Sequence, residues 1–141
     1  MKKKSNKLYP LHLIFMVLAA LLITSSPTLA GEGFSDIEIK KAVAMVAKEK
    51  NNPNFVILDV RTKREYDDGH LANSKNIDIR GANFNEEIGK LATDRTYLVY
   101  CRSGKRSKKA QGIMKELNFK KVINMKGGFI AWADGENSYE R

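Results

Sequence analysis

An α/β fold, with a mainly parallel central sheet and helices on both of its faces, is predicted by two features of this 141-residue sequence. First, short runs of strand-forming residues alternate with segments whose apolar residues recur at helical spacing. Second, the runs 55–58 and 97–100 consist almost entirely of bulky apolar and aromatic residues, as strands buried on both faces do. Parallel sheets of this kind carry their ligand sites at the carboxyl ends of the strands.

The first thirty residues have the pattern of a cleavable signal peptide. Four lysines precede an apolar run from residue 11 to 23, and Thr28 and Ala30 occupy the two specificity positions of a small-residue cleavage site. The apolar run is shorter than the roughly 20 residues that a membrane span needs. We therefore expect an exported protein, periplasmic or secreted, that keeps no stable membrane anchor after cleavage. A retained transmembrane anchor is the alternative.

Residues 31–141 are long enough for one compact domain but not for two. The formal net charge of the whole chain is +9, and the four leader lysines account for part of it. Aromatic residues do not alternate with the remaining basic residues, so we expect no nucleic-acid partner. One cysteine, and one histidine beyond the leader, do not make an ordinary zinc site, and we expect neither a metal nor a cofactor.

The first half of the domain is predicted to contain two helices around a buried strand. Ser35 and Glu38 have the spacing of a capping box, which predicts a helix from there to about Lys50. The strand 55–58 follows, and Asp59 and Arg61 come directly after it. These two side chains are candidates for facing a ligand, but we favour an ion pair that holds the turn. A short polar helix from 62 to 68 comes next.

The second half is predicted to continue the alternation of strands and helices. The segments, in order, are a weak strand at 75–79, a helix at 84–93, a strand at 97–100, a helix from Ser107, a strand at 122–125, a turn at Gly127-Gly128 and a last short helix at 129–133.

Cys101 stands at the end of the strand 97–100, in the loop that precedes a helix. Backbone N–H groups of such a loop and the helix dipole can together stabilise an anion. Lowering the pKa of a thiol by two units takes roughly 2.7 kcal/mol. One hydrogen bond to a charged group contributes about 1.5–3 kcal/mol, so the loop can supply this. The alternative is an unreactive buried cysteine followed by a solvated basic turn. A lone cysteine in an exported protein also fits an intermolecular disulfide.

Three segments together resemble rhodanese-like domains, the single-domain sulfurtransferases. They are 57–61, with Gly69-His70-Leu71 following; the loop Cys101-Arg102-Ser103-Gly104-Lys105-Arg106-Ser107; and 127–132, which ends in Trp132. They occur in the order typical of that family and span most of the domain. The chain has Ala72-Asn73-Ser74 where the family often has Pro-Gly-Ala, a change that bears on the choice of partner more than on chemistry.

The resemblance implies that Cys101 is the catalytic nucleophile and carries sulfur as a persulfide. The donor would be a small sulfur-containing anion such as thiosulfate, and the acceptor would be cyanide or a thiol. The same resemblance implies that His70 and Trp132 are structural. The residues expected to bind the substrate are Arg102, Ser103, Gly104, Lys105 and Arg106.

Three other functions stay open at this point. A cysteine-based phosphatase uses a similar loop, but it normally has arginine six positions after the cysteine, where this chain has Ser107. Six residues from Cys101 to Arg106, before the presumed helix start, also make a shorter loop than the seven residues of related phosphatases. The other two candidates are a non-catalytic module that carries an anion or a persulfide, and an exported redox protein whose thiol forms mixed disulfides with a protein partner.

Overall fold

The computed structural model describes residues 33–141, and the predicted signal peptide lies outside these residues. Five strands alternate with five helices over this range. In chain order they are β1 Phe34–Ile37, α1 Ile39–Glu49, β2 Phe55–Asp59, α2 Lys63–Asp67, β3 Lys75–Asn76, α3 Phe84–Gly89, β4 Thr96–Tyr100, α4 Lys105–Glu116, β5 Lys121–Met125 and α5 Gly128–Asp134.

The five strands form one sheet in the order β1-β5-β4-β2-β3. Every pairing between these strands is parallel, so their carboxyl ends lie along one edge of the sheet. The central strand, β4, pairs with β2 on one side and with β5 on the other. It is buried from Tyr97 to Tyr100, as its apolar sequence predicts. Cys101 directly follows it at the carboxyl edge.

Helices cover both faces of the sheet. On one face, Ala110 and Met114 of α4 join residues of α3 and of the strands in one buried cluster. On the other face, Ala42 of α1 and Trp132 of α5 pack against Leu98 and other strand residues in a second cluster. The predicted α/β architecture, with a parallel sheet between two helical layers, is therefore confirmed.

The predicted capping box at Ser35 is wrong. Ser35 lies within β1, which pairs with β5 in a parallel ladder, and α1 begins only at Ile39. Glu38 precedes that helix without a side-chain capping bond. A strand of four residues at the edge of a sheet has little pattern of its own, and its backbone bonds come from a partner almost ninety residues away in the sequence. Tertiary pairing therefore overrides the local helix-start signal.

Three predicted boundaries also move. Helix α3 ends at Gly89 rather than at residue 93, because glycine is a poor helix former. Strand β3 is reduced to Lys75–Asn76, since the chain turns away after its short pairing with β2. Helix α4 begins at Lys105, two residues before the predicted start at Ser107, so the turn between Cys101 and the helix is shorter than expected.

No helix within residues 33–141 combines the length and the apolar character needed to cross a membrane.

Candidate active site

The thiol of Cys101 is buried at the carboxyl edge of the sheet, between β4 and the first turn of α4. The residue exposes about 1% of its surface. The Gly104 N–H donates to Sγ at 3.2 Å, and the hydroxyl of Ser107 lies 3.5 Å from Sγ. Burial alone would raise the pKa of this thiol. The Ser107 hydroxyl and the backbone N–H groups of Ser107, Ser103 and Gly104 outweigh burial, and the pKa is lowered below its ordinary value.

Gly104 allows this turn to be so short. It is the N-cap of α4 and adopts φ of +94°, a conformation that side-chain-bearing residues rarely adopt. A Cβ atom here would also lie 3.3 Å from the backbone N of Gly127 and from the carbonyl oxygen of Met125. The left-handed turn directs the Gly104 N–H back to the sulfur. The sequence predicts backbone N–H groups around Cys101, and the conformation of Gly104 is what brings one of them to the sulfur.

The start of α5 fastens the other side of the Cys101 loop. The Phe129 N–H donates to the carbonyl of Cys101 at 2.8 Å, and the Ile130 N–H donates to the carbonyl of Arg102 at 3.1 Å. Gly128, with φ of +57°, permits this approach, because a Cβ atom there would lie 2.3 Å from the Cys101 carbonyl oxygen. The Gly-Gly turn predicted from the sequence therefore also holds the Cys101 loop in place.

Arg106 is the basic residue of the loop that the structure holds in place. Its Nη1 and Nη2 donate to the two carboxylate oxygens of Glu65, at 2.8 and 2.6 Å. These bonds, led by the side-chain bond from Arg106, lower the pKa of Glu65 to about 2. The pKa of Arg106 is raised, mainly by Glu65, with the charge of Cys101 contributing. Arg102 and Lys105, by contrast, are exposed to solvent.

Glu65 was not among the predicted site residues, although the sequence contains a signal for it. It closes a capping box with Thr62: the Thr62 hydroxyl accepts from the Glu65 N–H, and the Glu65 carboxylate accepts from the Thr62 N–H. The spacing of Thr62 and Glu65 is that of the motif. The box fixes the start of α2, and with it the carboxylate that holds Arg106.

Ser107 belongs to the loop that carries the sequence resemblance, but the sequence prediction assigned it no role at the sulfur. It is fully buried, and its hydroxyl lies 2.6 Å from Oδ1 of Asn124 as well as near Cys101. Asn124 belongs to β5 and is also buried. A polar residue in an otherwise apolar strand is the signal that could have drawn attention to Asn124. Both residues lie on the face of the sheet that α4 covers.

Comparison with known proteins agrees with this arrangement. The family model for the rhodanese-like domain matches residues 42–134, which include the whole Cys101 loop. This chain belongs to the rhodanese-like domain family. The sequence resemblance is thereby confirmed.

Two curated proteins with different names are similar to part of this chain. The probable adenylyltransferase/sulfurtransferase MoeZ of Mycobacterium tuberculosis is 35% identical over 79 residues, which cover 56% of this chain and 20% of that protein. The tRNA uridine(34) hydroxylase of an Enterobacter species is 31% identical over 105 residues, which cover 70% of this chain and 30% of that protein. The chain thus spans less than a third of the length of either relative.

Solved structures extend the likeness to the fold. A rhodanese-related protein from Thermoplasma volcanium has a TM-score of 0.62 and 27% identity, and the match covers 75% of this chain and 97% of that one. The Alr3790 protein from Anabaena has a TM-score of 0.63 and 26% identity, covering 74% of this chain and 81% of that one.

Asp59 and Arg61 form the ion pair that the sequence analysis favoured. Arg61 donates to both carboxylate oxygens of Asp59, at 2.6 to 3.0 Å, and both residues are buried. Nη2 of Arg61 also donates to the carbonyl of Gly69 at 2.6 Å, and its guanidinium lies 4.2 Å from the centre of the Phe129 ring. The pair in this rhodanese-like domain holds the loop after β2 against the start of α5.

His70 and Trp132 also make structural contacts. The His70 ring stacks on Tyr66, and its Nδ1 is 2.9 Å from the Tyr66 carbonyl oxygen. The indole N–H of Trp132 donates to the carbonyl of Ser138 at 3.0 Å. Trp132 also lines an apolar cavity of about 330 Å³ between α1, β2 and the C-terminal segment, which no residue of the Cys101 loop lines. These contacts agree with the structural roles that the resemblance implies.

Proposed function

We propose that this rhodanese-like domain is a sulfurtransferase that moves a sulfane sulfur from a small anionic donor to a thiol or cyanide through a persulfide on Cys101. The observation that carries the proposal is the position of the Cys101 sulfur. It lies 3.2 Å from the Gly104 N–H and 3.5 Å from the Ser107 hydroxyl, at the start of α4. The relative from Mycobacterium, named a probable sulfurtransferase, supports the same chemistry.

In the first step, the Cys101 thiolate attacks the outer sulfur of thiosulfate. A bond forms between Sγ and that sulfur, the sulfur–sulfur bond of thiosulfate breaks, and its electron pair leaves with sulfite. The product is a persulfide that carries the negative charge on its terminal sulfur. Donors that already face the Cys101 thiolate, foremost the Gly104 N–H, are placed to stabilise this charge without rearrangement.

In the second step, a cyanide ion or a thiolate attacks the terminal sulfur of the persulfide. A new bond to that sulfur forms, the bond between it and Sγ breaks, and the electron pair returns to Cys101 as a thiolate. The products are thiocyanate or a new persulfide on the acceptor. No oxidant or reductant is needed in either step. Ping-pong kinetics are expected, because sulfite leaves and the sulfur stays on Cys101 before the acceptor reacts.

The basic residues of the loop would bind the oxygens of the donor. Arg106, fixed by Glu65 and close enough to act on the Cys101 charge, supplies a positioned cation. Arg102 and Lys105 are exposed and would meet the donor at the entrance. Ser103 and Gly104 would contribute backbone N–H groups.

The phosphatase alternative finds less support. A phosphoryl group presents three equatorial oxygens that the loop and its arginine must surround. Here the position six residues after the cysteine is Ser107 rather than arginine. Helix α4 also begins at Lys105 rather than at the predicted Ser107, so fewer residues are available to surround a phosphoryl group.

The test of this proposal is thiocyanate production from thiosulfate and cyanide by the purified protein. We expect ping-pong kinetics, complete loss of activity in Cys101→Ser, and negligible hydrolysis of an aryl phosphate. Serine is nearly isosteric with cysteine but forms no persulfide, and an unchanged circular dichroism spectrum would show that the variant folds. Appreciable thiocyanate production by Cys101→Ser, or phosphate hydrolysis as fast as sulfur transfer, would rule the proposal out.

We further propose that the protein is exported and works in the periplasm or outside the cell, on small sulfur compounds or a redox protein partner. The support is the basic, apolar and small-residue pattern of residues 1–30. The intact mass of the protein from the exported fraction tests this. A chain that starts at or within a few residues of Gly31 is the expected result, and a retained leader in that fraction would contradict cleavage.

A further inference from the structure

A continuous line of polar side chains runs from the Cys101 sulfur to the edge of the sheet. Ser107 Oγ lies 3.5 Å from Sγ and 2.6 Å from Oδ1 of Asn124. Nδ2 of Asn124 donates to Oδ1 of Asp36 at 3.4 Å, and Lys108 donates to the same Asp36 oxygen at 2.8 Å. The line crosses from α4 to β5 and then to β1, where Asp36 and Asn124 are register partners.

The hydroxyl of Ser107 has more acceptors than it has hydrogens. It carries one hydrogen, and the acceptors within reach are Asn124 Oδ1 at 2.6 Å, the Gly104 carbonyl oxygen at 3.1 Å and Cys101 Sγ at 3.5 Å. A hydroxyl–oxygen separation of 2.6 Å is that of a strong bond. The Ser107 hydrogen is therefore shared: its stronger bond goes to Asn124, and the sulfur accepts from it more weakly, at 3.5 Å.

Asp36 determines which end of the Asn124 amide faces Ser107. An ionised carboxylate only accepts hydrogen bonds, whereas an amide has a donor end and an acceptor end. With its NH₂ group on Asp36, Asn124 must present its oxygen to Ser107. The opposite orientation would place the amide oxygen against the carboxylate, and the NH₂ group would then donate to Ser107. In that orientation the Ser107 hydrogen would be free to turn to the sulfur.

We propose that Asp36 is a positioning residue that acts through Asn124 to fix where Ser107 donates its hydrogen, and thereby limits how strongly the sulfur of Cys101 is held as an anion. For the persulfide this inference rests on the proposed function, but for the thiolate it does not. A thiolate held less strongly is a better nucleophile and accepts sulfur more readily. The arrangement would therefore favour rapid sulfur transfer over a long-lived thiolate or persulfide on Cys101.

The variant Asp36→Asn tests the proposal because it removes the acceptor-only group with little change in shape. Lys108 would select the oxygen of the new amide, which leaves the NH₂ group of that amide to face Asn124. Asn124 is then free to turn its own NH₂ group to Ser107, and the Ser107 hydrogen is released to its two remaining acceptors, the sulfur and the Gly104 carbonyl oxygen. We expect the pH midpoint of Cys101 alkylation by iodoacetamide to fall by about 0.5 to 1 unit.

A pure charge effect would also lower this midpoint, since a carboxylate is lost. Lys108 and Lys126 lie beside Asp36, and Arg106 acts on Cys101. Glu38→Gln is the matched control, because Glu38 and Asp36 both act on Lys126 and Glu38 makes no contact with the polar line. It should move the midpoint much less than Asp36→Asn does.

A double-variant cycle with Ser107→Ala decides between the two explanations. If Asp36 acts through the Ser107 hydroxyl, Asp36→Asn in the Ser107→Ala background shifts the midpoint no more than Glu38→Gln does. An equal shift with and without Ser107 would show a charge effect and overturn the proposal, as would no shift or a rise in the variant that keeps Ser107.

A second variant covers the case in which Asp36→Asn does not fold. Asn124→Leu has the same branched shape and removes the competing acceptor, so it should also lower the midpoint, and only when Ser107 is present. An unchanged midpoint in Asn124→Leu would overturn the proposal. Alkylation needs no sulfur donor, so these results stand apart from sulfur transfer: a protein without transferase activity would refute the proposed function and leave this inference to its own test.

Discussion

Cys101 is a buried thiol whose anionic form depends on a few neighbouring groups rather than on solvent. Burial raises its pKa, and donors led by the Ser107 hydroxyl lower it by more. A charge-assisted hydrogen bond is worth about 1.5–3 kcal/mol, and one pKa unit corresponds to about 1.4 kcal/mol. Each such bond can therefore lower the pKa by about one to two units, and together the four bonds outweigh the effect of burial. The lowered pKa of Cys101 is therefore a local property of the turn between β4 and α4.

The pair formed by Glu65 and Arg106 should stabilise the fold in a pH-dependent way. The pKa of Glu65 is about 2 in the folded protein, below its value in the unfolded chain, so its contribution is full above about pH 5 and is lost as the pH falls toward 2. We expect Glu65→Gln to lower the free energy of unfolding by about 1–3 kcal/mol at pH 7. Denaturant unfolding at a series of pH values measures this.

The matched control for Glu65→Gln is Asp67→Asn on the same helix. Asp67 pairs with Lys63, and both side chains are largely exposed, so this variant should cost about 0.5 kcal/mol or less. The difference between Glu65→Gln and the unaltered protein should shrink as the pH is lowered. A loss that is equal at all pH values, or equal in both variants, would contradict the account of this pair.

Residues that the sequence identified and residues that it missed differ in the range of their contacts. Cys101 and Gly104 are three positions apart, and their motif predicts a turn around the sulfur, which the structure contains. Ser107 and Asn124 lie 17 positions apart, and Arg106 and Glu65 lie 41 apart. Such pairs meet only because α4 packs across the sheet, and no local spacing indicates their contact.

At the level of elements, the Cys101 loop is held between the start of α4 and the Gly127-Gly128 turn, which lie far apart in the sequence. Helix α4 begins where the loop ends, at Lys105. After the Gly127-Gly128 turn, the N–H groups of Phe129 and Ile130 donate to carbonyl groups of the loop. Each contact depends on a glycine in a left-handed conformation. The sequence predicts both turns, but not that they meet at Cys101.

Gly128→Ala should disturb this arrangement. Its Cβ atom would lie 2.3 Å from the Cys101 carbonyl oxygen, so the loop or α5 must move, and φ of +57° is itself strained for alanine. We expect a loss of about 2–4 kcal/mol in the free energy of unfolding and a large fall in sulfur transfer. Thermal unfolding and thiocyanate production measure the two effects.

Gly112→Ala is the control for this glycine. Gly112 is exposed in α4, and a Cβ atom there meets nothing within 4 Å. Alanine should stabilise the helix by up to about 1 kcal/mol and leave activity unchanged. If both variants change the free energy of unfolding and sulfur transfer alike, the close approach of Gly128 to the Cys101 carbonyl is not the reason that residue 128 must be glycine.

The difference between local patterns and long-range contacts also explains which helices and strands the sequence could predict. The strands β2 and β4 and the helix α4 carry strong patterns of their own, and the structure contains them close to the predicted bounds. Strand β1 does not, because its four residues are ordered by pairing with β5, and the local capping-box spacing at Ser35 indicates a helix instead. A genuine capping box exists at Thr62, where no long-range pairing competes with it.

For the whole molecule, the parallel sheet places the Cys101 thiol at the carboxyl edge of its central strand. Both faces of the sheet are occupied by apolar packing, so the polar chemistry is confined to that edge and its loops. Basic residues follow Cys101 at positions 102, 105 and 106, as the proposed small anionic donor would require. Everything in the account of function depends on whether sulfur is carried at this single position.

The mass of the protein after treatment with thiosulfate tests this most directly. We expect a gain of one sulfur atom per chain, located on Cys101 by peptide fragmentation, lost on addition of cyanide with release of thiocyanate, and absent in Cys101→Ser. A chain that gains no sulfur, or that instead forms a disulfide with an added thiol and never a persulfide, would contradict the account.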